Sequence, residues 1–177
     1  VYELLQERPD VVVSGVNYGP NLAEDVWYSG TAAAALEAAS IGIPGIAVSH
    51  LSHRPSDFGP AARLAARVVK YILAEAWPPR TVLNINVPDT GSEDIDDVVW
   101  TPAGRRNYNR AVVKGTDPRG QAYYWLGGSG LTHESRPGSD CDTVAGGQAC
   151  ITPVTMETTD FDCLDRLQNI KLPAFSD

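Results

Sequence analysis

Arg8-Pro9-Asp10-Val11-Val12-Val13-Ser14-Gly15-Val16-Asn17-Tyr18-Gly19-Pro20-Asn21 is the stretch on which the fold turns. Val11 to Val13 form a short β-branched run without polar alternation, bounded by Ser14-Gly15. Such a run fits a parallel strand buried on both faces. A loop over residues 17–29, rich in Gly, Pro and Asn, follows it. Residues 31–40 are alanine-dense and predict a helix, ended by Gly42 and Pro44. Residues 45–49 read as a second core strand. Residues 60–76 read as an amphipathic helix stopped by Pro78-Pro79, and residues 82–87 as a third strand. Strand and helix in alternation imply right-handed crossovers, giving an α/β class with a three-layer, Rossmann-like, mostly parallel sheet. Upstream, residues 1–7 read as the last turns of an amphipathic helix, stopped by Pro9. A helix leading straight into a buried strand has a strand before it in this architecture, so the sequence is expected to begin mid-fold.

Beyond Pro88 the texture changes. Residues 89–97 are an acidic loop. Residues 98–101, 111–113 and 122–126 predict antiparallel strands, the last two separated by the turn Asp117-Pro118-Arg119-Gly120. Residues 149–154 predict one more strand and residues 161–168 a short helix. Residues 1–90 are thus expected to form the α/β core, and residues 91–177 a β-hairpin-rich extension of the same domain that takes part in oligomerisation.

The chain has 177 residues, 43% hydrophobic and 20% charged, enough for one globular domain with a core. Its formal charge of -8 opposes binding to a nucleic acid polymer or an anionic membrane. It does not exclude a small phosphorylated ligand held where the chain is locally positive. No apolar run approaches the ~20 residues of a membrane span. Cys141, Cys150 and Cys163 are odd in number and widely spaced. They read as ordinary thiols of a reducing compartment, the cytoplasm, rather than as a disulfide framework or a zinc cluster.

The candidate site lies after the first strand, because ligands of open α/β sheets bind at the carboxyl ends of strands. Asn17 and Asn21 carry carboxamide oxygens for a hard cation and amide hydrogens for phosphate oxygens. Gly15 and Gly19 let backbone approach a ligand. Ser29-Gly30-Thr31 opens the alanine-rich helix, whose free amides and dipole favour an anion. Turn chemistry explains the Asn/Gly loop equally well, and helix capping explains Ser29. An anion, phosphate foremost, explains why both features meet at one helix mouth. No Gly-Lys-Ser/Thr and no Gly-x-Gly-x-x-Gly occurs, which disfavours a P-loop triphosphatase and a dinucleotide binder.

Residues 8–31 as a whole resemble the signature of the SurE survival-protein nucleotidases, whose members show PDLVVSGINxGPNLGxDVxYSGT. The resemblance continues through Gly42-Ile43-Pro44-Gly45-Ile46-Ala47-Val48-Ser49, Asn84-Ile85-Asn86-Val87-Pro88 and Gly104-Arg105-Arg106-Asn107-Tyr108. It also covers Thr116-Asp117-Pro118-Arg119-Gly120 with Tyr123-Tyr124-Trp125, and Gly138-Ser139-Asp140. The resemblance implies a 5'-nucleotidase or acid phosphatase, a hydrolase that removes phosphate from nucleoside 5'- and 3'-monophosphates with Mg²⁺ or Mn²⁺. It makes Asn17 a metal ligand and Asn17, Asn21 and Asp25 catalytic-site positions. Gly19, Asn21, Ser29, Gly30 and Thr31 become phosphate-contacting positions. It also implies a homodimer or homotetramer in which a β-hairpin and the C-terminal segment reach a neighbour.

The family's adjacent Asp-Asp metal pair has no counterpart in place, since Asp96-Asp97 lies beyond the third strand. The chain is therefore expected to bind metal poorly and to be inactive by itself. The alternative is a non-catalytic phosphate-binding or assembly module. His50, His53 and His133 carry no Arg-His-Gly signature and read as ordinary loop histidines. Arg105-Arg106 with Tyr108 suits either a nucleotide grip or a hairpin salt bridge.

Overall fold

The computed structural model describes residues 3–52, 57–75, 77–91, 93–107, 112–126 and 132–171. His53, Ala76, Tyr108 and Ala111 of the sequence reading lie outside them. The elements run β1 (Val12–Tyr18), a 3-10 helix (Ala23–Tyr28), α1 (Gly30–Ser40), β2 (Gly45–His50), α2 (Gly59–Ala74), β3 (Thr81–Val87), β4 (Val98–Trp100), β5 (Arg106–Asn107), β6 (Val112–Thr116), β7 (Ala122–Leu126), β8 (Thr132–His133), α3 (Asp140–Ala145), β9 (Ala149–Thr155) and α4 (Phe161–Leu167).

One five-stranded sheet, in the order β1-β2-β3-β9-β4, forms the middle layer. β1, β2 and β3 are mutually parallel, as the alternation of strands and helices requires. β9 enters antiparallel beside β3, pairing Ile85 with Ile151, and β4 lies parallel to β9. The expected antiparallel strand at residues 98–101 is therefore the outer strand of the main sheet. β6 and β7 form the expected hairpin as a sheet of their own, and β5 pairs with β8.

Side-chain alternation divides the core into two faces. Leu83, Ile85 and Val87 point with Ile46 and Val48 toward α2, whose Ala61, Leu64, Ala65, Val68 and Ile72 repeat at helical spacing. Val82 and Ala47 face α1 through Ala32, Ala35 and Ala39. The alanines let that helix approach closely: a Cβ at Gly45 would come within 2.2 Å of the Ala35 carbonyl oxygen. No helix among the described residues is long and apolar enough to cross a membrane.

Two expectations are corrected. Residues 3–7 form exposed turns and bends rather than helix; so short a segment cannot offset the cost of helix nucleation without a packed face. β1 is not buried on both faces. It is longer than Val11 to Val13, it is the outer strand of its sheet among the described residues, and Val13 is 45% exposed.

Candidate functional site

The parallel strands bring the ends of β1, β2 and β3 to one rim of the sheet, where Asn17, His50 and Asp89 follow or close their strands. α1 opens at the same rim. Ser29 caps it by accepting from the Ala32 amide at 3.1 Å, as a Ser at this position does. This leaves the Ser29 hydroxyl proton free to donate, and the Gly30 and Thr31 amides have no acceptor inside the helix. A Cβ placed on Gly30 would meet nothing within 4 Å, so no described residue packs against that side of the first turn.

The two parts of the site expected from sequence meet here. Thr31 Oγ1 donates to Asn17 Oδ1 at 3.3 Å, and Asn17 Nδ2 donates to the Gly19 carbonyl at 2.8 Å. The Gly19 amide donates to the His50 carbonyl at 2.9 Å, fixing the loop to the end of β2. Asn17, Gly19, Ser29, Gly30 and Thr31 thus lie together where the end of β1 meets the start of α1, the rim site.

Asn21 and Asp25 occupy the scaffold beneath it. Asn21 is 6% exposed, and its carboxamide donates to Ser49 Oγ at 2.6 Å. Its backbone amide donates to Asn86 Oδ1 at 2.9 Å, and its carbonyl accepts from Asn84 Nδ2 at 2.8 Å and Asn86 Nδ2 at 3.0 Å. Asp25 accepts from the Leu22 amide at 3.3 Å. Its Oδ2 lies 3.1 Å from Nε of the buried Arg106, an ion-pair distance without hydrogen-bond alignment.

Sequence reasoning set Ser49, Asn84, Asn86, Arg106 and Asp140 within segments that resemble the family, and gave Arg106 as a nucleotide grip or hairpin salt bridge, but assigned none of them to this supporting layer, to which Asp140 belongs by accepting from the Ala23 amide. The signal for two of them was present. Asn84 and Asn86 alternate with Leu83 and Ile85 on a central strand, which places polar groups on one face only. Of the histidines, His50 is 1% exposed, and its Nδ1 accepts from the Ser52 amide at 3.1 Å. Its Nε2 stands 3.9 Å from Asp89, and its ring meets Phe58 edge-on. His133 bonds Asp142 at 2.8 Å, on the β8–α3 side of the molecule. Arg105 forms an exposed pair with Glu134, the hairpin-type salt bridge that the sequence allowed.

Burial pushes the Cys141 thiol up to about 12, with the neighbouring Asp140 carboxylate adding to it, and burial likewise pushes Cys150 up to about 12. Neither is a nucleophile at neutral pH.

A family profile described as "Survival protein SurE" matches residues 1–110. The "5'-nucleotidase SurE" of Myxococcus xanthus is 44% identical over 174 residues, covering 98% of this chain and 66% of that protein. Its namesake in Anaeromyxobacter dehalogenans is 45% identical, covering 97% of this chain and 67% of that protein. The chain therefore spans about two thirds of the length of the curated relatives it matches. Among solved structures, the "Sure Protein from Aquifex aeolicus" superimposes with a TM-score of 0.75 at 34% identity, over 92% of this chain and 66% of that one.

Proposed function

The chain belongs to the SurE family of survival proteins, and from that premise we propose that it carries the phosphate-holding part of a phosphomonoesterase. The reaction would hydrolyse nucleoside 5'- and 3'-monophosphates to nucleoside and phosphate. The observation that carries this reading is the junction of Thr31 with Asn17 at 3.3 Å, which sets the helix-opening amides beside the end of β1. A phosphate dianion fits this mouth. Its non-bridging oxygens take the Gly30 and Thr31 amides, the Ser29 hydroxyl adds a donor, and the Thr31 hydroxyl adds another by giving up its bond to Asn17. Gly19 keeps the loop backbone close, while Asn21 and Asp25 hold the shape of the loop that presents these groups.

A divalent cation, Mg²⁺ or Mn²⁺, is part of the proposal; when bound it would polarise the phosphoryl oxygens and activate water. The donors described do not complete a site for it. Among the described residues no group of three or more His, Cys, Asp or Glu side chains is gathered. Asp25 is tied to Leu22 and Arg106, and Asn17 offers a single neutral oxygen to an ion that prefers several oxygen ligands with negative charge among them. Asn17 is thus at most one ligand, and carboxylates from outside the described residues would have to join it.

The proposal extends to a homodimer or homotetramer in the cytoplasm. The β6–β7 hairpin stands apart from the main sheet with Tyr123, Tyr124 and Trp125 exposed. α4 buries none of its residues, and the three cysteines are free thiols. The test is phosphate release from nucleoside monophosphates and from p-nitrophenyl phosphate, with and without Mn²⁺, by the natural gene product that contains this chain. Mn²⁺-dependent release that falls by roughly 100-fold in Thr31→Val supports the reading, in line with the loss of an oxyanion donor. Phosphate binding without release would instead identify a binding module, and release indifferent to Thr31 would place the chemistry elsewhere.

A further inference from the structure

The loop from β1 to α1 is rich in turn residues and gains its shape only where something holds it. Its most constrained point is Ala23, which sits at φ +48° in the left-handed region, a conformation unfavourable to any residue with a Cβ. The Ala23 amide donates to Asp140 Oδ2 at 2.8 Å. Asp140 comes from the far end of the chain and is 0% exposed. Its other oxygen accepts from the Gly104 amide at 2.6 Å and from the Cys141 amide at 2.7 Å.

The segment that carries Gly104 grips the next two loop residues. The Arg106 amide donates to Glu24 Oε2 at 2.7 Å, and Arg106 Nε lies 3.1 Å from Asp25 Oδ2. The fit around the carboxylate is tight. A Cβ at Gly104 would come within 2.9 Å of Asp140 Oδ1 and 3.0 Å of Cys141 Sγ.

Burying a carboxylate is costly, and packing alone would be served better by an apolar side chain. What an apolar side chain cannot do is accept the backbone amides of Ala23 and Gly104 together with that of its own neighbour Cys141, and so fix two remote segments to the start of α3. We propose that Asp140 is a positioning residue for the phosphate loop, holding residue 23 in its left-handed conformation and so setting how residues 19–31 meet the mouth of α1. Only the name of the loop rests on the phosphate reading; the clasp itself does not.

The shape-conserving change Asp140→Asn separates alignment from packing. The asparagine oxygen can still accept from Gly104 and Cys141, but its amide then faces the Ala23 N–H, donor against donor. Hydrogen exchange followed by mass spectrometry on the whole chain reads the result. Amides of residues 21–28 are expected to exchange at least tenfold faster, while those of β2 and β3 stay unchanged. Adding Ala23→Gly, which needs no clasp to hold a left-handed conformation, is expected to restore at least half of the lost protection.

Gly104→Ala, which displaces the carboxylate without removing it, gives the same selective loosening and carries the test if Asp140→Asn does not fold. Unchanged protection in residues 21–28, loosening spread equally over β2 and β3, or no rescue by Ala23→Gly would each overturn the proposal. A parallel calorimetric titration with inorganic phosphate separates the two ideas. Selective loosening in a chain whose parent form takes up no phosphate leaves the clasp standing and removes the phosphate reading.

Discussion

Replacing Asn86 by alanine separates the two buried asparagines of β3 by their hydrogen bonds. Asn86 is 0% exposed; its Oδ1 accepts from the Asn21 amide at 2.9 Å, and its Nδ2 donates to the Asn21 carbonyl at 3.0 Å. Alanine leaves the carbonyl satisfied, because Asn84 Nδ2 still donates to it at 2.8 Å. The Asn21 amide, in a residue only 6% exposed, loses its acceptor. An orphaned buried amide costs about 1–3 kcal/mol, and the space left by the carboxamide adds to this unless water fills it. About 2 kcal/mol is therefore expected.

Asn84→Ala removes one donor from a carbonyl that keeps another, and it also removes Asn84 Oδ1, which has no partner among the described residues. Its cost should be less than half as large. With a urea slope of about 2 kcal/mol per molar, the unfolding midpoint should fall by about 1 M for Asn86→Ala and by under about 0.5 M for Asn84→Ala. A loss for Asn84→Ala equal to or greater than that for Asn86→Ala would refute the hydrogen-bond assignment on which the loop geometry stands.

Thiol chemistry gives a second check: at pH 8 an aromatic disulfide reagent should label the partly exposed Cys163 and spare the buried Cys141 and Cys150, with all three labelled after denaturation. Because both buried thiols are raised from 9.0 to about 12 in the folded chain, the unfolded chain ionises first, so stability should be full below about pH 9 and fall as pH rises toward 12. Stability that climbs over that range would contradict their burial. Deleting residues 112–126, the exposed hairpin, should lower the mass seen by light scattering. An unchanged mass would remove the hairpin from the proposed assembly.

Much of the core was legible because its signals are local. The alanine-dense helix and the α2 periodicity each reflect a buried face, whereas the β-branched run before Ser14 marks a strand but not its burial, since Val13 is 45% exposed. The place of β9 was not, since its antiparallel pairing of residues 81–87 with 149–155 is a long-range choice that no local pattern encodes. α3 has six residues, too few for a periodic stripe. A capping signal was there all the same, as Ser139 Oγ accepts from the Asp142 amide at 3.3 Å.

The site divides in the same way. Asn17 and Ser29 to Thr31 stand out in sequence through strand-end and helix-cap chemistry, and the structure joins them by the Thr31–Asn17 hydrogen bond. The hydrogen bonds of Asn21 were not legible, because its carboxamide nitrogen and its backbone are held by partners that lie 28 to 65 residues away. Asp140 and Arg106 carry no local mark of their role. Their partners Ala23, Glu24 and Asp25 sit at the opposite end of the sequence.

The central claim is that an anion sits where the end of β1 meets the opening amides of α1, and amide NMR of the isotopically labelled chain titrated with inorganic phosphate addresses it directly. Saturable shifts are expected at the Gly30 and Thr31 backbone amides and at the Asn17 carboxamide, weakened in Thr31→Val. Saturable shifts confined to other regions, such as Arg105 and Arg106, or no saturable shift at all, would contradict it.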